Sequence, residues 1–189
     1  MEELYILGKK KMLRRVFIFW DHVIMFNVLQ ELNIRIDYNL VKSRLARGYN
    51  LVAPVMYLGS QRVVFPKNQK FFDALIKQGW FIIETPLKIH SSRRRKQGAE
   101  STSGVEDIMF LDMCDFTKEG AYEKAIIVSG DSTFVSVVKE LKELDIDIEV
   151  WSFRISISQA LIKEVGSNHV HYFDDFMEEI TLMDYSNNE

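Results

Sequence analysis

Asp131 ends an apolar run in Lys124-Ala-Ile-Ile-Val-Ser-Gly-Asp-Ser-Thr-Phe134 and is followed at once by an amphipathic segment. Asp21 occupies the matching place after Arg15-Val-Phe-Ile-Phe-Trp20, and Glu106 falls in the first turn of a predicted helix, with Asp107 beside it and Asp112 six residues on. Carboxylates crowded together raise one another's pKa unless a cation compensates, and a hard ion such as Mg2+ or Mn2+ prefers oxygen ligands. A divalent metal is therefore an economical explanation of such a cluster. Each acid taken singly has a plainer role: Asp21 and Asp131 could cap the helices that follow them, and Glu106 and Asp112 could be solvated helix positions. Two strand-end aspartates that parallel topology sets side by side are harder to explain in that way.

The elements that must position these acids are legible from periodicity. Arg15 to Trp20 is a continuous run of β-formers, expected as a first strand buried on both faces. A helix follows Asp21, and Asp37 caps a second one carrying Leu40, Val41 and Leu45, closed by Gly48. Leu51 to Leu58 is a second strand in which Pro54 marks an edge or a bulge. Lys67 to Gly79 reads as a helix, Trp80 to Ile83 as a third strand, and Val105 to Phe116 as a helix that buries Val105, Ile108, Met109, Leu111 and Met113. The helix dipole favours a carboxylate such as Glu106 in its first turn. Ala125 to Val128 is the fourth strand, Ser132 to Leu144 a helix and Ile146 to Trp151 the fifth strand. Residues 156–165 and 173–182 form two last helices around a short Val170-His-Tyr172 strand. Strands alternating with helices predict an α/β fold, a doubly wound, mostly parallel sheet flanked by helices.

The chain has 189 residues, 47% of them hydrophobic, which suits one such domain with a sizeable core. The expected division is an N-terminal extension over 1–13, one domain over 14–183 and a tail over 184–189. A net charge of −3 argues against a protein that is basic throughout and leaves room for a local basic patch. The single cysteine, Cys114, excludes an internal disulfide and a cysteine-rich zinc site, and it points to a reducing compartment. The apolar run after the basic N-terminal residues spans only Val16 to Trp20, too short for a signal segment or a membrane span, so a soluble cytoplasmic protein is expected.

Competing motifs are weak. No Gly-x-Gly-x-x-Gly follows the first strand, no Gly-Lys-Ser/Thr phosphate loop occurs, and the four histidines form no triad pattern with Ser129 or Ser132. His22 reads as local structure. His90 to Gly104 lacks apolar periodicity and holds the basic run Arg93, Arg94, Arg95 and Lys96, either a solvated loop or one that binds phosphates.

Three segments together resemble a known family: Val16-Phe-Ile-Phe-Trp-Asp21, Gly104-Val-Glu-Asp-Ile-Met-Phe-Leu-Asp112 and Tyr122-Glu-Lys-Ala-Ile-Ile-Val-Ser-Gly-Asp-Ser-Thr-Phe134. They look like the NYN domain, in the LabA-like branch of the PIN-like nuclease superfamily, and the likeness extends over about residues 15 to 180. The family pattern has Asp-x-x-Asn after the first strand, Gly-Val-Asp opening the later helix and Ser-Gly-Asp-Ser-Asp-Phe. This chain keeps Asp21, Asp112 and Asp131, but has Ile24 for the Asn, Glu106 for an Asp and Thr133 for the second Asp.

The resemblance implies a PIN-like, three-layer fold and a ribonuclease dependent on Mg2+ or Mn2+. Asp21, Glu106 and Asp131 would be the catalytic acids and metal ligands, with Asp107 or Asp112 completing the shell and Ser129 or Ser132 orienting a ligand. Arg93, Arg94, Arg95 and Lys96 would hold the backbone of a single-stranded RNA. The substitutions at Ile24 and Thr133 motivate a second expectation, an inactive NYN-like module that binds RNA or a protein partner. A homodimer assembled through the N-terminal extension and apolar faces is a third.

Overall fold

The structure, a computed structural model, describes residues 4–6, 9–60, 66–86 and 104–182. The first two strands, β1 (Leu4–Ile6) and β2 (Lys9–Lys11), pair antiparallel in a small sheet of their own. The chain then runs through β3 (Arg15–Asp21), α1 (His22–Glu31), α2 (Tyr38–Leu45), β4 (Asn50–Ser60), α3 (Pro66–Lys77) and β5 (Phe81–Pro86). After residue 103 come α4 (Val105–Lys118), β6 (Lys124–Val128), α5 (Phe134–Glu143), β7 (Asp147–Ser152), α6 (Gln159–Val165), β8 (Val170–Tyr172) and α7 (Met177–Ile180), with 3-10 turns at Ser167–His169 and Phe173–Phe176.

Six strands form one parallel sheet in the order β5-β4-β3-β6-β7-β8. The chain builds outward from β3 in one direction and then from β6 in the other, so the order reverses between these two strands. An open α/β sheet leaves a crevice at that point, beyond the carboxyl ends of the strands. Asp21 closes β3 and Asp131 follows β6, so both acids stand there.

Both faces of the sheet are covered, and for this reason the β3 and β6 runs show no polar alternation. Val16 through Asp21 and Lys124 through Val128 are buried without exception. Phe17, Phe19, Val55, Tyr57, Ala125 and Ile127 pack on one face against α4, α5 and α6. Val16, Ile18, Trp20, Met56, Ile126 and Val128 pack on the other against α1, α2 and α3. Burying side chains such as Ile18 and Phe19, both with no exposed surface, stabilises by about 1.5–3 kcal/mol each.

Several expectations are refined. Pro54 is not itself a bulge: the β3–β4 register jumps at Val52, from Val16↔Leu51 to Phe17↔Ala53, and Pro54 pairs in register with Ile18, on the stretch of β4 whose other side is a local edge. Pairing with β5 begins only at Val55, beyond the residue that lacks an N–H. Leu111 is 54% exposed and not buried; Val105, Met109, Met113 and Cys114 form the inner stripe of α4. The segment expected as one helix over 173–182 divides into the 3-10 turn and the short α7. Among the described residues no helix is long and apolar enough to cross a membrane.

Candidate functional site

Asp21 is 1% exposed, and its carboxylate is held from two sides. Oδ1 accepts from the Ile24 backbone N–H at 3.2 Å and so caps α1, while Oδ2 accepts from the Ser129 hydroxyl at 3.0 Å. Ser129 is itself fully buried, and its Oγ accepts from the Asp131 backbone N–H at 3.3 Å. Asp131 Oδ1 accepts from the Thr133 backbone N–H at 2.8 Å, which shapes the turn into α5. Asp21 is thus the cap of α1, whereas Asp131 closes the turn ahead of α5, whose N-cap is Thr133. Both roles use backbone donors and leave lone pairs on the carboxylates for further partners.

The two positions that depart from the family pattern serve these same bonds. Ile24 and Thr133 hold Asp21 and Asp131 through main-chain N–H groups, which remain whatever side chain is attached.

Burial pushes the Asp21 carboxyl up to about 7; the Ile24 N–H and Ser129 hydroxyl oppose the shift, and the nearby charges of Glu106 and Asp131 add to it. These three acids are therefore electrostatic neighbours, with Glu106 half-buried in the first turn of α4. Among the described residues no lysine, arginine or histidine pairs with Asp21 or Asp131. The opposite end of the sheet is arranged differently: buried Lys124 at the start of β6 is met by Asp147 at 2.9 Å and Glu149 at 2.8 Å.

The remaining sequence candidates separate. Asp107 is exposed on α4. Asp112 accepts a 3.0 Å hydrogen bond from the Tyr57 hydroxyl, and its carboxyl is raised by burial, with Tyr57 opposing and Asp115 adding to the shift. Ser132 is exposed at the turn, where its carbonyl accepts from the Val135 N–H at 3.1 Å. Arg93, Arg94, Arg95 and Lys96 lie outside the described residues. Among the described residues no group of three or more His, Cys, Asp or Glu side chains stands at metal-ligating spacing.

Two supports escaped sequence reasoning. Tyr57 pairs in register with Asp21 on the neighbouring strand and shares its face of the sheet; its signal was a tyrosine in an apolar strand, whose buried hydroxyl needs a partner. Gly130 is the other. A Cβ there would overlap the Ser156 backbone and crowd the Ser152 hydroxyl, and the Gly130 carbonyl accepts from the Ser158 N–H at 2.8 Å. The Ser129-Gly130-Asp131 turn is thus clamped by the connection after β7.

His22, next to Asp21, is half-buried among Phe26, Tyr38 and Phe71, and burial pushes its imidazole down to about 4. It is neutral at physiological pH, and no described carboxylate forms an ion pair with it.

The fold is shared with a crystal structure of a protein of unknown function from Vibrio parahaemolyticus, at a TM-score of 0.70 and 19% sequence identity, covering 92% of this chain and 99% of that one. No curated protein matches the sequence significantly. Residues 15–172 match the NYN domain family, and the chain belongs to that family.

Proposed function

We propose that this protein is a ribonuclease that uses a divalent cation, Mg2+ or Mn2+, at the acidic cluster where β3 and β6 diverge. NYN domains are a PIN-like nuclease family. The observation that carries the reading is Asp21: a buried carboxyl pushed up to about 7, with the charges of Glu106 and Asp131 contributing to that shift. A site of this kind gains most from a bound cation, and its donors are all oxygen, as a hard ion prefers. Among the described residues these side chains are not gathered at metal-ligating spacing.

Asp21, Glu106 and Asp131 would hold the ion directly or through water, with Asp107 or Asp112 of α4 completing the acidic shell. The chemistry such an ion would supply when bound is a more acidic water for attack on a phosphodiester and compensation of charge on the leaving oxygen. Ser129 holds Asp21 and the Asp131 main chain in register, and Ser132 stands at the mouth of the same turn. Arg93, Arg94, Arg95 and Lys96 would grip the backbone of single-stranded RNA beside the site, giving affinity without sequence choice. We place the protein in the LabA-like branch and in the cytoplasm, as one NYN unit over 14–183 with a short extension and tail, able to form a homodimer.

Cleavage of labelled single-stranded RNA tests this. The wild type should cut with Mn2+ or Mg2+ and stop with EDTA, and Asp21→Asn and Asp131→Asn should each lose cleavage. Cutting that ignores EDTA and both substitutions would overturn the proposal. Among the described residues no three acids are preformed as a metal-ligating group, which favours a second reading, a module that binds RNA or a protein partner without cutting it. Binding without cleavage, lost when Arg93, Arg94 and Arg95 become alanine, would establish that instead.

A further inference from the structure

On the other side of the same rim, beginning one residue past Asp21, stands an aromatic patch that the acidic chemistry leaves unused. His22 and Phe26 of α1, Tyr38 of α2, and Phe71 and Phe72 of α3 form a connected group of rings. The centroids lie 5.6 Å apart for His22–Phe26, 6.1 Å for His22–Tyr38, 5.9 Å for His22–Phe71, 5.4 Å for Tyr38–Phe71 and 5.3 Å for Phe71–Phe72. Such a group usually closes a core, but this one keeps ring surface in solvent: Phe26 is 47% exposed, and the other rings are half-buried.

The patch also has a polar atom in want of a partner: His22 Nδ1 makes no hydrogen bond. Trp20 and Trp80, packed on Tyr38 at 5.5 and 6.4 Å, belong to the core beneath. Leaving the imidazole nitrogen unsatisfied is costly, and purely apolar cover would not relieve the cost. A planar ligand with a π face and a hydrogen-bonding edge offers both kinds of contact, and a nucleobase is such a ligand. Bases stack on aromatic side chains in a sequence-tolerant way, and only an unpaired base has its face and edge free.

We propose that His22, Phe26 and Phe71 form a subsite for one unpaired nucleobase of a single-stranded RNA whose backbone passes the acidic cluster. This rests on reading that cluster as an RNA-cutting site. It makes the patch the element that selects single strands over duplex, since a paired base cannot leave its stack without cost.

The test uses the full-length chain in an Asp131→Asn background with Mg2+, so that the probe stays intact. Its probes are a labelled single-stranded oligoadenylate, the same strand with its bases removed, and a duplex of equal length, each followed by fluorescence anisotropy. Phe26→Ala should weaken oligoadenylate binding about tenfold while moving the abasic and duplex probes by less than about twofold, and Phe26→Trp should restore it. Phe26 is substantially exposed, so the variants should keep the parent circular dichroism spectrum.

The subsite is overturned if the parent does not bind oligoadenylate, if Phe26→Ala and Phe71→Ala bind it as the parent does, or if all three probes weaken equally. Base-dependent binding in a protein whose wild type never cuts RNA would sink the nuclease reading and keep the subsite. Cutting by the wild type, with binding unmoved in both phenylalanine variants, would do the reverse.

Discussion

The Ser129 hydroxyl donates a 3.0 Å hydrogen bond to the Asp21 carboxylate across the β3–β6 boundary, 108 residues apart in the chain. The same oxygen accepts the Asp131 main-chain N–H, so one buried side chain ties together the two acids that end the central strands. The geometry of the acidic cluster therefore depends on a group that carries no charge.

Replacing Ser129 by alanine should test that dependence. A hydrogen bond to a charged group is worth about 1.5–3 kcal/mol, so a loss of about tenfold or more in RNA cleavage is expected. Ser129 favours the ionised form of Asp21, so its removal raises that carboxyl further, and the acidic limb of the pH–rate profile should move to higher pH. A profile that keeps its shape and position would show that Ser129 is only packing.

Asp21 should also set the pH dependence of stability in metal-free protein. Its folded pKa of about 7 lies above the ordinary aspartate value of 3.8, so the stability it contributes is full below the lower value and is lost as pH rises through the upper one. Asp21→Asn keeps an acceptor for the Ile24 N–H and cannot ionise. In EDTA the variant should gain stability relative to wild type as pH rises from about 4 to about 8, measured by denaturant unfolding at each pH. Parallel stability curves for the two proteins would contradict this.

Gly130→Ala should disturb the turn that carries Ser129 and Asp131, because the added methyl meets the Ser156 backbone and not a flexible side chain. Overpacking of this kind costs about 1–3 kcal/mol, so a lower midpoint in thermal unfolding is expected, together with reduced cleavage at a temperature where the variant is folded.

How far this site was legible in the sequence follows from the range of the interactions. β3 and β6 could be read because both strands are buried on both faces and so appear as unbroken apolar runs ending in aspartate. Their adjacency followed from parallel topology. Leu111 was read wrongly because an apolar side chain on a helix does not announce which stripe faces the core, and Cys114 took the inner place. The bond from Tyr57 to Asp112 was out of reach, since it depends on how α4 settles over β4. The Gly130 clamp also depends on a segment contributed much later in the chain.

Tyr57→Phe isolates that distant support. Removing the hydroxyl takes from Asp112 its one side-chain donor among the described residues, and the expected loss is about 0.5–1.5 kcal/mol by urea unfolding. The Asp112 carboxyl should then titrate higher, since Tyr57 now favours its ionised form; carboxyl chemical shifts followed against pH would register the change.

Whether Asp21, Glu106 and Asp131 together form a divalent-cation site is read out by titrating the metal-free protein with Mn2+ in a calorimeter at a pH above 7. One ion should bind per chain, and Asp131→Asn should abolish or strongly weaken that binding while the protein stays folded. Wild type and variant binding Mn2+ equally, or neither binding it, would show that these acids do not form a cation site.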